Sequence, residues 1–191
     1  MSHYIANLRD IEFCLFDLLG REKVMGTDPY GEVDRDTAMG MLEEMKRLCE
    51  NDLAASFVEG DRIGTDFNKA TGDVKLPESF KKSYKAYVDG EWWRLDAPVE
   101  LGGMKVPPSV RWAMAEMVLG SNPAIHIYAS GYAFAQVAHV LGTDEQKKIA
   151  KHMVEKHWGA TMQLTEPDAG SDVGAGRTKA VQQADGTWHI T

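Results

Sequence analysis

Apolar positions recur with a helical period up to about residue 158 and in short alternating stretches after it. Residues 11–19 form a short apolar segment, and "GTDPYGE" (26–32) is a turn-rich break. Over 36–59, Met41, Met45, Leu48, Leu53 and Phe57 fall at helical spacing. Pro77 is placed to open a further helix, where its missing N–H costs nothing, and Phe80, Tyr84 and Tyr87 share one face of it. The Pro- and Gly-rich stretch 91–109 is an irregular connector; Ser109 is positioned to cap a helix over 110–119. "SNP" (121–123) breaks the chain again. The charge-poor run "AIHIYASGYAFAQVAHVLG" (124–142) holds His126, Gln136 and His139 among small residues, which suits a buried helix better than a membrane span. In "GTDEQKK", Thr143 and Gln146 have capping-box spacing, and Asp144 and Glu145 complement the helix dipole.

Beyond residue 158, "GATMQLTE" reads as a short strand and "RTKAVQQADGTWHIT" as two strands around an Asp-Gly turn. The expected organisation is therefore a mainly α domain over 1–157 and the beginning of an incomplete β domain over 158–191. A lone hairpin is not a stable domain, so the chain reads as the front part of a longer protein.

The composition is ordinarily globular, 43% hydrophobic and 26% charged over 191 residues. A formal net charge of −8 argues against nucleic acid and against an anionic membrane surface as partners. Cys14 and Cys49 lie in apolar surroundings without metal-ligand spacing, which indicates free thiols and a reducing cytoplasm. The N-terminus shows no signal peptide. No histidine has a carboxylate partner at useful spacing, so all six are assigned to packing or solvent, and no metal site is expected. The methionines at 39, 41, 45, 114 and 117 read as core, and Trp92 and Trp93 as anchors of a domain contact rather than guards of a pocket.

The candidate chemistry lies in "GATMQLTEPDAGSDVGAGRTKAV" (159–181). Gly170, Gly174 and Gly176 permit positive φ or a close approach to a ligand. Thr165 and Ser171 supply hydroxyls, and open amides in such a loop form an anion nest. The loop joins two strands, so it is neither a Rossmann nor a P-loop fingerprint. On composition alone, a surface turn outweighs a ligand site.

The string "LTEPDAGSDVGAGRTKA" (164–180) closely resembles the signature of the acyl-CoA dehydrogenase family, Val or Leu followed by T-E-P-x-A-G-S-D, at every fixed position. "GTDEQKK" upstream and "ADGTWHIT" downstream resemble the family's neighbouring segments, and the likeness runs from about Trp93 to Thr191. "YIANLRDIEFCLFDLLG" resembles a bacterial branch of large fatty-acid-degrading members. The resemblance implies a helical N-terminal domain, a β-barrel-like middle domain and a C-terminal four-helix domain. FAD would lie between the last two and contact a neighbouring subunit. It implies cofactor contacts from Met162, Gln163, Leu164, Thr165, Glu166, Pro167, Asp168, Ala169, Gly170 and Ser171. Within that set Thr165 would meet the flavin's polar edge, Ser171 would meet flavin phosphate or the thioester substrate, and Glu166 would hold the turn rather than act as base.

The implied reaction is α,β-dehydrogenation of an acyl-CoA thioester to the trans-2-enoyl-CoA in β-oxidation. The catalytic glutamate is expected beyond Thr191, so no catalytic residue is assigned in this chain. "WHIT" (188–191) aligns with the strand before the family's flavin-contacting segment and receives no role. The implied partners are electron-transfer flavoprotein as acceptor and further copies in a homodimer or homotetramer. A same-fold acyl-CoA oxidase and a non-catalytic helical interaction module are the alternatives. The resemblance also implies that Ala129, Ser130, Gly131 and Ala133 set the room for the acyl tail.

Overall fold

The computed structural model describes residues 2–191. The chain forms two compact units, Met1–Ala160 and Thr161–Thr191. The first is helical. Helix α1 (Leu8–Glu12) continues into a wider π-helical turn, Phe13–Leu18. Helix α2 (Arg35–Leu48) begins at Asp34, whose carboxylate accepts the Thr37 amide at 2.8 Å. It runs on through a π-helical turn, Cys49–Leu53, and a 3-10 turn, Ala54–Ser56, into α3 (Phe57–Ile63).

The helical period read from the sequence holds as far as Leu53: Met45, Leu48 and Leu53 are buried and Met41 is partly so, with Leu42 buried beside them. It fails at Phe57, which is 37% exposed. One wide turn followed by one tight turn rotates the following residues out of the original stripe.

A small antiparallel ladder not expected from the sequence, β1 (Asp66–Phe67) with β2 (Val74–Lys75), precedes α4 (Glu78–Asp89). Phe80 and Tyr87 of α4 are buried and Tyr84 is partly so, as their spacing predicts. Two 3-10 turns, Trp92–Leu95 and Val99–Leu101, shape the connector. Helix α5 spans Pro108–Ser121. Ser109 is not its cap, because Pro107 holds that place and Pro108 already has the φ that a first helical residue needs. The Ser109 hydroxyl lies buried inside the first turn without a protein partner.

Residues 124–142 do not form one buried helix. They divide into α6 (Pro123–Ala129) and α7 (Gly131–Leu141) at Ser130, whose hydroxyl donates to the Ile127 carbonyl at 2.6 Å. Ile125, Ala129, Tyr132 and Ala135 are buried, whereas Ile127, Val137, Val140 and Leu141 are exposed. Among the described residues no helix is long and apolar enough to cross a membrane. Helix α8 (Asp144–Glu155) starts on the expected capping box: Thr143 and Gln146 bond reciprocally at 2.8 and 3.4 Å.

The core joins α2 and its continuation to α5, α6 and α7 through Leu42, Met45, Met114, Met117, Ile125 and Tyr132. Cys49 is buried and free, and burial pushes its thiol up to about 12, so it stays protonated filler. Cys14 is free and half-buried. Asn122, also buried, lies in extended conformation between α5 and α6. Its Nδ2 donates to the Leu53 carbonyl at 3.1 Å and to the Ser56 hydroxyl at 3.0 Å. One histidine departs from expectation: His139 Nε2 lies 3.7 Å from a Glu100 carboxylate oxygen, a partner 39 residues away that local spacing could not reveal. Among the described residues no cluster of metal-ligating side chains occurs.

"GATMQLTE", which runs from the end of the first unit into the second, is not a strand; residues 158–164 are irregular, without a ladder partner. The hairpin is present as β3 (Ala180–Gln182) and β4 (Trp188–Ile190), with Val181 opposite His189. Gly186 closes its turn at φ +85°, and Asp185 accepts the Thr187 hydroxyl at 2.7 Å.

Gly131 is buried in the core and faces main chain. A Cβ built on it would lie 2.1 Å from the Trp158 carbonyl oxygen and 2.9 Å from the Gly159 Cα, both main-chain atoms. Gly131→Leu should therefore destabilise the chain by about 3 kcal/mol or more, beyond ordinary overpacking because backbone must move. Urea denaturation of the two proteins measures this, and a loss below about 1 kcal/mol would mean that the corner yields easily.

Candidate functional site

The motif loop is built around one side chain. Glu166, Pro167, Asp168 and Ala169 form a turn closed by a reciprocal pair of backbone bonds, Glu166 N–H to Ala169 O and Ala169 N–H to Glu166 O, each 3.1 Å. Pro167 suits the second position of such a turn because its φ is already set. The Glu166 carboxylate turns back into the loop and accepts the Arg177 amide at 2.7 Å and the Thr178 amide at 2.9 Å. The loop is thereby closed across eleven residues by two charge-assisted bonds. Between these ends, Asp172 precedes a 3-10 turn, Val173–Ala175. The exposed Arg177 guanidinium lies 3.8 Å from Asp168, a solvent-screened pair that contributes little.

Of the ten residues singled out in the sequence, Ala169 is buried and Glu166 is half-buried. Met162, Gln163, Leu164, Thr165, Pro167, Asp168, Gly170 and Ser171 are exposed on one continuous segment. Thr165 and Ser171 present their hydroxyls on this open stretch. Of the two uses the sequence offered for the loop glycines, positive φ is not taken up at Gly170, Gly174 or Gly176. At Gly176 the need is clearance: a Cβ there would lie 3.1 Å from Glu166 Oε1 and 3.2 Å from the Val173 carbonyl. Gly176 lets the backbone pass close enough for its neighbours to donate to the carboxylate. The motif string pointed to the loop, but only the fold reveals which amides Glu166 receives.

Of the four residues expected to set acyl-tail room, Ala133 lines a cavity of about 500 Å³ shared with Met104, Lys105, Arg111 and Gln136. Ala129 and Gly131 are buried. A second cavity of about 480 Å³, lined by Phe57, Leu76, Phe80, Ile127 and Tyr128, has no counterpart in the sequence reading because its walls are far apart along the chain.

The Arg177 amide, with Thr178 beside it, holds the Glu166 carboxyl below its ordinary value of 4.5. A depressed folded pKa means that the loop closure is fully present above pH 4.5 and is lost as pH falls through the lower folded value. The Arg177 and Thr178 amide resonances should accordingly stay constant at neutral pH and shift together only in acid. Glu166→Gln, which offers a single neutral acceptor, should raise the hydrogen exchange of both amides even at pH 7. Unaltered exchange in that variant would show that the loop closes without the carboxylate.

No family model matches the chain. Its sequence is 55% identical over 190 residues to a broad-specificity linear acyl-CoA dehydrogenase of Mycobacterium tuberculosis, an alignment covering 100% of this chain and 31% of that protein. It is 35% identical over 192 residues to a 3-methylmercaptopropionyl-CoA dehydrogenase of Ruegeria pomeroyi, covering 98% of this chain and 32% of that protein. It is 28% identical over 185 residues to a butyryl-CoA dehydrogenase of Syntrophomonas wolfei, with 94% and 30% covered. The chain thus spans about a third of the length of the curated relatives it matches. With its signature loop intact and its whole length aligned to these enzymes, the chain belongs to the acyl-CoA dehydrogenase family.

Proposed function

We propose that this chain supplies the helical domain and the first flavin-contacting loop of an FAD-dependent acyl-CoA dehydrogenase. The enzyme removes two hydrogens across Cα–Cβ of an acyl-CoA thioester and yields the trans-2-enoyl-CoA of β-oxidation. The observation that carries the reading is the unbroken "LTEPDAGSD" held as an exposed, side-chain-braced loop, in a chain 55% identical along its length to such an enzyme. The name of that relative supports linear acyl chains as the substrate class.

The donor set fits a flavin. Thr165 and Ser171 place two short hydroxyls on an open strip, and the exposed Gly170 leaves backbone accessible beside them. Glu166 spends its charge on the loop's own amides rather than facing a pyrophosphate. In this reading Met162–Leu164 give the strip an apolar flank, Thr165 meets the polar edge of the ring, and Ser171 meets flavin phosphate or the thioester. FAD, when bound, supplies the acceptor for the hydride. Glu166 is not the base, because its two oxygens are committed to Arg177 and Thr178. The residues of unit Thr161–Thr191 would begin a β-barrel-like middle domain. Electron-transfer flavoprotein as acceptor, a homodimeric or homotetrameric assembly and a cytoplasmic location belong to the same proposal.

A polypeptide that extends this chain to the length of its relatives should show a flavin absorbance spectrum that bleaches on addition of a linear acyl-CoA. A colourless protein, or a spectrum indifferent to acyl-CoA, would overturn the reading. Ser171→Ala in that protein should weaken flavin or thioester binding by about fivefold, the worth of one hydrogen bond. Flavin titration and steady-state KM measure it. The 191-residue chain by itself should show no turnover; acyl-CoA-dependent dye reduction by this chain alone would place the base within it.

A further inference from the structure

The last turn of α8 ends on an unusual residue. His157 has φ +53°, a left-handed conformation that favours glycine or asparagine. The backbone around it makes the bonds of a helix terminus: the His157 amide donates to the Val154 carbonyl at 3.2 Å and the Trp158 amide to the Met153 carbonyl at 2.9 Å. Glycine would make these bonds without strain, so the imidazole needs another reason. It packs against two elements distant in sequence. Its Nδ1 is 2.9 Å from the hydroxyl of Tyr132, in the first turn of α7, and its ring meets Trp93 edge-on at 5.8 Å. Trp93 in turn stacks on Tyr132 at 5.7 Å with the planes 27° apart. Burial raises the Tyr132 phenol well above its usual value, so the hydroxyl keeps its proton. One residue further on, the Trp158 carbonyl passes Gly131 so closely that no side chain fits there.

We infer that His157, Tyr132 and Trp93 form a clasp that holds the end of the helical unit in place up to residues 158–160. The clasp rests on contacts within the helical unit alone. Three chain segments meet in it: the 3-10 turn at Trp92–Leu95, the start of α7 and the end of α8. A free helix end frays. Here the end is tied to two earlier elements by a side-chain hydrogen bond to Tyr132 and an edge-on aromatic contact with Trp93, and the strain at His157 is held by those contacts.

The test separates backbone from side chain. His157→Gly and His157→Asn both accept the left-handed conformation, and neither carries an imidazole to Tyr132. Tyr132→Phe keeps the ring stack and removes the hydroxyl. In the 191-residue chain, each of the three should speed hydrogen exchange of the amides of residues 158–160 by about fivefold, with α2 and α5 amides unchanged. The double variant His157→Gly with Tyr132→Phe should be no worse than either single one. Unchanged exchange in His157→Gly, together with a raised melting temperature, would reduce His157 to a poorly chosen cap and overturn the clasp.

Discussion

The buried amide of Asn122 is the constraint on which the helical unit turns. Its Nδ2 reaches both the Leu53 carbonyl and the Ser56 hydroxyl, 69 and 66 residues earlier in the chain. Those two groups lie where the helix that starts as α2 widens and then tightens, a place where regular helical bonding is disturbed. A buried polar group without a partner costs about 1–3 kcal/mol, so the disturbed turns and the break between α5 and α6 stabilise each other. Around that junction Leu53, Met114, Met117 and Ile125 close the core.

The motif loop uses the same physics with a charge in place of an amide. Glu166 reaches forward to two backbone donors and holds a glycine-containing loop that has almost no core of its own; Ala169 is its one buried apolar residue before the hairpin. The consequence for chemistry is a division of labour. The acidic side chain is consumed by structure, and the short hydroxyls of Thr165 and Ser171 stay exposed on the same strip. Under the proposed function, that arrangement serves recognition of a polar ring edge and a phosphate rather than acid–base work.

Much of the fold was legible because its signals are local. The capping box at Thr143 and Gln146, the turn at Asp185 and Gly186, and the stripe from Met45 to Leu53 all follow from spacing that the chain carries on itself. The misreadings share one cause. Ser109 looked like a cap until Pro107 and Pro108 began the helix before it. Phe57 lost its place in the stripe when the winding changed beneath it. The run 124–142 looked uniform, yet Gly131 meets the backbone at Trp158 and Gly159 at the joint between two helices. Each outcome depends on atoms that sequence spacing cannot bring together.

The sequence by itself determined the class of the protein. The string from Leu164 to Asp172 identifies the family, and the helical period followed by alternation describes the order of elements. It also marked Glu166 as a residue of the turn. Only the tertiary structure decided which groups satisfy which. It chose Arg177 and Thr178 for Glu166, Leu53 and Ser56 for Asn122, and Tyr132 for His157. The physical reason is that helix, turn and strand preferences act within a few residues, whereas a buried donor or acceptor takes whatever partner the packing delivers, however distant along the chain.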